Sequence, residues 1–176
     1  PSRRKKDERL RRAASCTLSV DPGAPMGYNV LQTHICKGKE HTYASRRVQC
    51  LHHSIGQLPH QFAFENGIVI TDVGPGYAKG ELTVGPDSIN PHGNVHGGAL
   101  STLADTVGGC CACSKGGTCV TSGCSIEYLR PANGSKIYCT ATPKKLGRTL
   151  SVVALEMTNV QGVVVATATY TFFMLH

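Results

Sequence analysis

One helix has to serve a whole sheet in this chain. The run "GGALSTLADTVGGCCACS", Gly97 to Ser114, is the one long stretch with a sustained helical period. Leu100, Leu103, Ala104, Val107 and Cys111 follow the 3.6-residue repeat and form a single apolar stripe. Every patterned run after it is strand-like: "CVTSGCSIEYL" up to Arg130-Pro131, then "KIYCTATP", "RTLSVVALEMT" and "VVVATATYTFFML". Ahead of the helix, "GIVITDVGPGYAKGELTV" predicts two strands joined at Gly74-Pro75-Gly76. In the second of these, Ala78, Gly80, Leu82 and Val84 alternate with Lys79, Glu81 and Thr83, which leaves one face wet. Residues 44–66 are weakly helix-compatible. The links between the last four strands are of hairpin length, so antiparallel neighbours are expected. The fold class is therefore α+β: a long central helix whose stripe is wrapped by a six-stranded antiparallel sheet.

Charge divides the chain. Residues 1–60 carry 11 of the 18 Lys and Arg and 4 of the 11 Asp and Glu, which accounts for the whole net charge of +7. Residues 61–176 are neutral overall. The excess is densest in "RRKKDERLRR", and residues 1–43 are rich in breakers and poor in periodicity. Such a block is ordinarily a solvated tail rather than an arm for nucleic acid or a membrane surface. Residues 1–43 are thus expected to be a disordered basic leader or an extension foreign to the domain, and residues 44–176 the folded domain. No run of 18 apolar residues occurs, so no membrane-spanning helix is expected. No secretory pattern opens the chain, which points to the cytoplasm. Nine cysteines is an odd number, and the spacing of Cys110 and Cys113 has no second knuckle to complete a metal site. The cysteines are expected to be packing residues, with no metal and no cofactor implied.

The chemistry concentrates in "NPHGNVHGGALSTLADTVGG". Gly97 and Gly98 open the helix, where backbone N–H groups are unpaired and the dipole is positive. A carbonyl or oxyanion could be polarised there, with Asn90 and His96 as nearby donors. Asp105 falls off the apolar stripe, beside Ser101, Gly108 and Ala112, and the small residues Gly108, Gly109 and Ala112 suggest room beside it. It lies about 12 Å along the axis from Gly97, too far for both to serve one carbonyl within one helix. A site using both needs two copies of the chain. On these residues alone, a capping His96 and an Asp105 paired to a lysine fit equally well. Further on, "PKKLGRT" sets Lys144, Lys145, Gly147, Arg148 and Thr149 around a turn, a cluster suited to a polyanionic nucleotide or to a solvated hairpin tip.

Residues 60–175, with N-x5-HGG-x7-D on the helix, "CVTSGCSIEYLRPA" and "PKKLGRTLSVVALEMTNVQGVVVATATYTFFML", resemble the hotdog-fold acyl-CoA thioesterases of the phenylacetic-acid-degradation (PaaI-like) type. The resemblance implies hydrolysis of an acyl-CoA thioester to free acid and CoA. It implies Asp105 as general base or nucleophile, the Gly97 N–H on the carbonyl, Asn90 and His96 beside it, and Thr121, with Ser122 adjacent, near the attacking water. It implies CoA phosphates at Lys144, Lys145, Gly147, Arg148 and Thr149, and a homodimer or homotetramer with its sites at the subunit interface. Two rivals share the fold: an acyl-CoA-binding regulator with a DNA-binding leader, and an acyl dehydratase. The first needs a helix-turn-helix that residues 1–60 do not pattern, and the second a His and acid paired across the site.

Overall fold

The computed structural model of the chain describes residues 61–175. The leader, its boundary at residue 44 and most of the helix-compatible run 44–66 lie outside those residues. The described order is α1 (Phe62–Glu65), β1 (Ile68–Gly74), β2 (Tyr77–Thr83), a 3-10 turn (Pro86–Ser88), α2 (Gly97–Ala112), β3 (Thr118–Tyr128), β4 (Lys136–Leu146), β5 (Leu150–Asn159) and β6 (Val164–Leu175). The six strands form one antiparallel sheet in the order β1-β2-β4-β5-β6-β3.

Helix α2 begins where the sequence changes from loop to stripe. Extended His96 caps it, its Nδ1 accepting the Gly98 N–H at 2.8 Å. Leu100, Leu103, Ala104, Val107 and Cys111 are all buried. The helix lies across the middle of the sheet, chiefly on β4, β2 and β5. Its last turn ends at Cys113, and Gly116 and Gly117 both take positive φ before β3 starts. The first hairpin turns through Pro75 and Gly76, with Gly76 at φ 84°. Beneath it, Ala78, Gly80 and Leu82 of β2 point to the core, as their alternation predicts.

The sheet order departs from the meander that short links suggest. β3 and β4 are joined through residues 129–135, yet they are not neighbours: β4 lies between β2 and β5, and β3 pairs with β6 at the far edge. The link is tied down on the way. Ala132 is buried and its carbonyl accepts the Val95 N–H at 2.8 Å, so the chain crosses at the loop that leads into α2. A sheet curled around one helix brings its separated strands close enough at that end for seven residues to span. β4 also runs further than expected. It continues through a register shift at Pro143/Lys145 to Leu146, leaving a shorter turn at 147–149.

Helix and sheet pack closely at Gly80. A Cβ built there would stand 2.6 Å from Val107 Cγ2 and 3.0 Å from the Val69 carbonyl oxygen. Gly80→Ala therefore overpacks the interface, and should lower unfolding stability by about 1–3 kcal/mol. A shift of the urea midpoint at unchanged slope is the expected reading.

Candidate active site

The helix face left over after core burial meets edge strand β3, and the two run past each other position by position. Tyr128 Oη donates to the Gly97 carbonyl at 3.0 Å. Further down the helix, buried Tyr170 of β6 donates to the Ser101 carbonyl at 3.0 Å and lies 2.8 Å from its hydroxyl. Burial is the main cause that pushes the Tyr170 phenol up to about 12, so it remains a donor. Next, Thr121 Oγ1 donates to Asp105 Oδ1 at 2.6 Å. Last, the Cys119 thiol faces the Gly109 carbonyl at 3.9 Å.

Thr121 reaches Asp105 because β3 bulges. Its pairing with β6 shifts between Thr121 and Gly123, and Ser122 turns away to donate to the Thr171 carbonyl at 3.1 Å. The bulge keeps Cys119 and Thr121 on the helix side above it, and Tyr128 on the same side below it. Asp105 is half-buried, and no lysine or arginine among the described residues pairs with it. Among the described residues the one side chain that hydrogen-bonds the carboxylate is a neutral hydroxyl, which leaves Oδ2 for another group.

The other predicted residues are placed as follows. The Gly97 N–H has no hydrogen-bond partner among the described residues. The glycine is nevertheless required for packing, since a Cβ there would sit 3.1 Å from the Tyr128 ring. His96 spends Nδ1 on the cap, which fixes its proton on Nε2 and directs that donor outward. Asn90 Oδ1 accepts the N–H groups of His92 (2.9 Å) and Asn94 (3.2 Å), so this oxygen organises the loop and only the side-chain NH2 is left over. Gly97 and Asp105 do not come together within one copy of the chain: the Ser101–Tyr170 pair lies between them. Of the small residues near Asp105, Gly108 is filled by Phe172, whose ring would stand 3.0 Å from a Cβ there, and Ala112 is buried, whereas a Cβ at half-buried Gly109 would meet nothing nearer than Phe172 at 3.7 Å.

The basic cluster divides. Lys144 Nζ donates to Thr169 Oγ1 at 2.9 Å, and its side chain lines a cleft of about 560 Å³ with Glu127, Thr140, Glu156 and Thr167. Asp105 and Thr121 take no part in that cleft. Lys145, Arg148 and Thr149 stay exposed around Gly147, where a Cβ would clash with the Leu150 carbonyl oxygen at 2.4 Å. Among the described residues no group of three or more His, Cys, Asp or Glu could hold a metal ion, and no helix is long and apolar enough to cross a membrane. Sequence reasoning missed Tyr128 and Tyr170. Their signal was alternation along β3 and β6, legible only once the bulge and the pairing of those strands are known.

The family model described as thioesterase superfamily matches residues 92–166. The chain is 36% identical over 101 residues to the acyl-coenzyme A thioesterase PaaI of Escherichia coli (strain K12), covering 57% of this chain and 72% of that protein. The solved structure of the E. coli PaaI protein, from the phenylacetic acid degradation operon, matches with a TM-score of 0.67 at 28% identity, over 76% of this chain and 94% of that one. A hypothetical thioesterase of Streptococcus pneumoniae TIGR4, crystallised with coenzyme A, gives 0.59 at 32% identity, over 61% of this chain and 85% of that one. That thioesterase has also been solved as an aspartate-to-alanine and as a threonine-to-alanine mutant, at positions 16 residues apart.

The cap on α2 yields a test of local structure. His96→Ala should cost about 1 kcal/mol of unfolding stability, and His96→Asn should recover most of it, because asparagine offers the same kind of acceptor. Equal losses in the two variants, measured by denaturant unfolding, would show that the ring matters for something other than capping.

Proposed function

The chain belongs to the PaaI-like hotdog thioesterases, and from that premise we propose that Asp105, with the Gly97 N–H of a second copy, hydrolyses an acyl-CoA thioester to free acid and CoA. The observation that carries this reading is the 2.6 Å hydrogen bond from Thr121 to Asp105, which has no other hydrogen-bond partner among the described residues, on a helix whose first N–H has none there either. The S. pneumoniae relative supports it: the aspartate and threonine altered there have the same separation as Asp105 and Thr121.

A thioester carbonyl reacts when its oxygen is polarised and a nucleophile is stripped of its proton. The Gly97 N–H, at the positive end of α2, is the polarising donor, and the charge that builds on oxygen in the transition state strengthens that bond. Asp105 takes a proton from water as the new C–O bond forms. The C–S bond then breaks, and the proton passes to the departing CoA sulfur. Thr121 fixes Oδ1 and leaves Oδ2 for this work. His96 Nε2–H and the Asn90 NH2 are donors for the carbonyl or the attacking water. Direct attack by the carboxylate, through a mixed anhydride, uses the same groups.

The second copy follows from β3. Among the described residues nothing pairs with its outer edge, it is 11 residues long, and Glu127 is its only charge. Natural sheets protect such edges with lysine, proline or a covering element, and this one has no lysine or proline. Pairing two β3 edges about a two-fold axis near mid-strand covers both. It also inverts the order of positions, so the Tyr128–Gly97 end of one copy meets the Thr121–Asp105 stretch of the other. Lys145, Arg148 and Thr149 supply the phosphate contacts of CoA. The regulator reading gives Asp105 no work, and the dehydratase reading leaves His96 capping a helix instead of facing an acid.

Asp105→Asn preserves shape and the bond from Thr121 but removes the base. Its kcat for acyl-CoA hydrolysis should fall by roughly 10²–10⁴-fold with CoA binding retained. Hydrolysis at the parent rate across aromatic, short and long acyl-CoAs would refute the assignment. Single-turnover hydrolysis in ¹⁸O-water separates the two routes, since only an anhydride route leaves label in the Asp105 carboxylate. Arg148→Ala should raise KM for the CoA ester more than it lowers kcat, because a remote phosphate contact is alike in ground and transition states. An equal loss on a thioester lacking the nucleotide would assign Arg148 to something else.

A further inference from the structure

One line of α2 faces β3 and β6. Gly97, Ser101, Asp105 and Gly109 recur every four residues, and each meets a donor from a strand. The proposed hydrolysis uses Gly97 and Asp105 and gives Ser101 and its donor, Tyr170, no part. Tyr170 is 2% exposed, in register with Val153 of β5 and Cys124 of β3. Its ring centroid lies 6.0 Å from that of Phe172, with the planes at 21°. A phenylalanine would fill the same space, so packing does not call for the hydroxyl. The hydroxyl is spent on one turn of helix: Oη donates to the Ser101 carbonyl at 3.0 Å and lies 2.8 Å from Ser101 Oγ.

We infer that Tyr170 is a positioning residue for the hydrolysis: by gripping Ser101 it fixes the helical turn that presents Asp105 to Thr121. The Ser101 carbonyl stands one turn before Asp105, and the i→i−4 pattern of a regular helix assigns it to the Asp105 N–H. Tyr170 therefore holds the peptide group from which the Asp105 backbone hangs. The apolar stripe of α2 cannot do this as well. Leu100, Leu103, Ala104, Val107 and Cys111 are buried by a force without direction. It sets the height and roll of the helix less sharply than a hydrogen bond of preferred length and angle does.

Strand β6 carries the other half of the arrangement. Phe172, two residues after Tyr170, fills the space at Gly108, three residues after Asp105. Phe172 is also the register partner of Thr121. One strand thus holds the helix on either side of Asp105 and holds the residue that donates to it. The 2.6 Å bond from Thr121 to Asp105 closes a triangle of α2, β3 and β6, of which the Tyr170–Ser101 contact is another side. Among the described residues Tyr170 makes no hydrogen bond to the carboxylate, so its effect passes through the turn. Loss of its hydroxyl should change how Asp105 is aimed and leave thioester binding alone. This role rests on the proposed use of Asp105; the grip on Ser101 does not.

The test is Tyr170→Phe in the full chain, which keeps the ring and its stack and removes one oxygen. At a temperature where urea unfolding shows parent and variant folded, kcat for acyl-CoA hydrolysis should fall by about 10- to 100-fold, the scale of a misplacement of up to about 1 Å, with KM changed by less than about twofold. The crystal structure of the variant should show the Thr121–Asp105 pair opened beyond hydrogen-bond distance. Ser101→Ala removes the hydroxyl contact, leaves the carbonyl bond, and should lower kcat in the same direction by less; it carries the test should Tyr170→Phe not fold. A parent kcat in either folded variant, a loss carried by KM, or an intact Thr121–Asp105 bond in the Tyr170→Phe structure overturns the positioning role. Asp105→Asn, measured beside them, separates two failures. At the parent rate it removes the use of Asp105 itself, whereas a slow Asp105→Asn with a fast Tyr170→Phe removes the positioning role alone.

Discussion

The structure depends on burying one helical stripe in one curved sheet. Leu100, Leu103, Ala104, Val107 and Cys111 have no second helix to pack on among the described residues beyond the single turn of α1. The sheet must supply the whole opposing surface, and Gly80 lets β2 close onto Val107. Wrapping the sheet around the helix leaves its margins to do other things. Strand β3 ends up beyond the core, with most of its side chains exposed. The face of α2 that the core does not claim is the face that β3 borders.

The candidate site is thus a remainder of the fold. Its polar groups are backbone and hydroxyls: the first N–H of α2, the carbonyls of Gly97 and Ser101, Thr121 Oγ1, and one carboxylate. A charged partner would have neutralised Asp105 and spent it. A hydroxyl orients it without doing so. Two glycines nearby serve the fold: Gly108 makes room for Phe172 and Gly97 for Tyr128.

The helix, its stripe and the position of Asp105 off that stripe were legible from the sequence, because a 3.6-residue period needs no tertiary information. So were three hairpins, each with a short link and, in the first, a Pro-Gly turn. The strand order was not. Whether β4 follows β3 or crosses to β2 depends on where Ala132 finds a hydrogen-bond partner, and that partner, Val95, lies thirty-odd residues away in sequence. The choice between Thr121 and Ser122 was hidden by the bulge, which interrupts the two-residue period. The division of the basic cluster was hidden by the extension of β4 past Pro143, which carries Lys144 over to Thr169. Motif and resemblance supplied the names of the groups; pairing and register supplied their directions.

The two margins of the sheet are built differently. β1 is seven residues long, irregular between Ile70 and Asp72, and carries an aspartate at the irregularity. β3 is 11 residues long and has neither lysine nor proline to discourage a stray strand. Strand edges of this kind template aggregation when left open. Of the two described margins, β3 is the one that offers a long backbone edge to a stray strand. The strand that bears Thr121 cannot be blunted at its centre without disturbing the bulge, so the remedy for poor solubility has to be placed on the outer sheet face or at the strand ends.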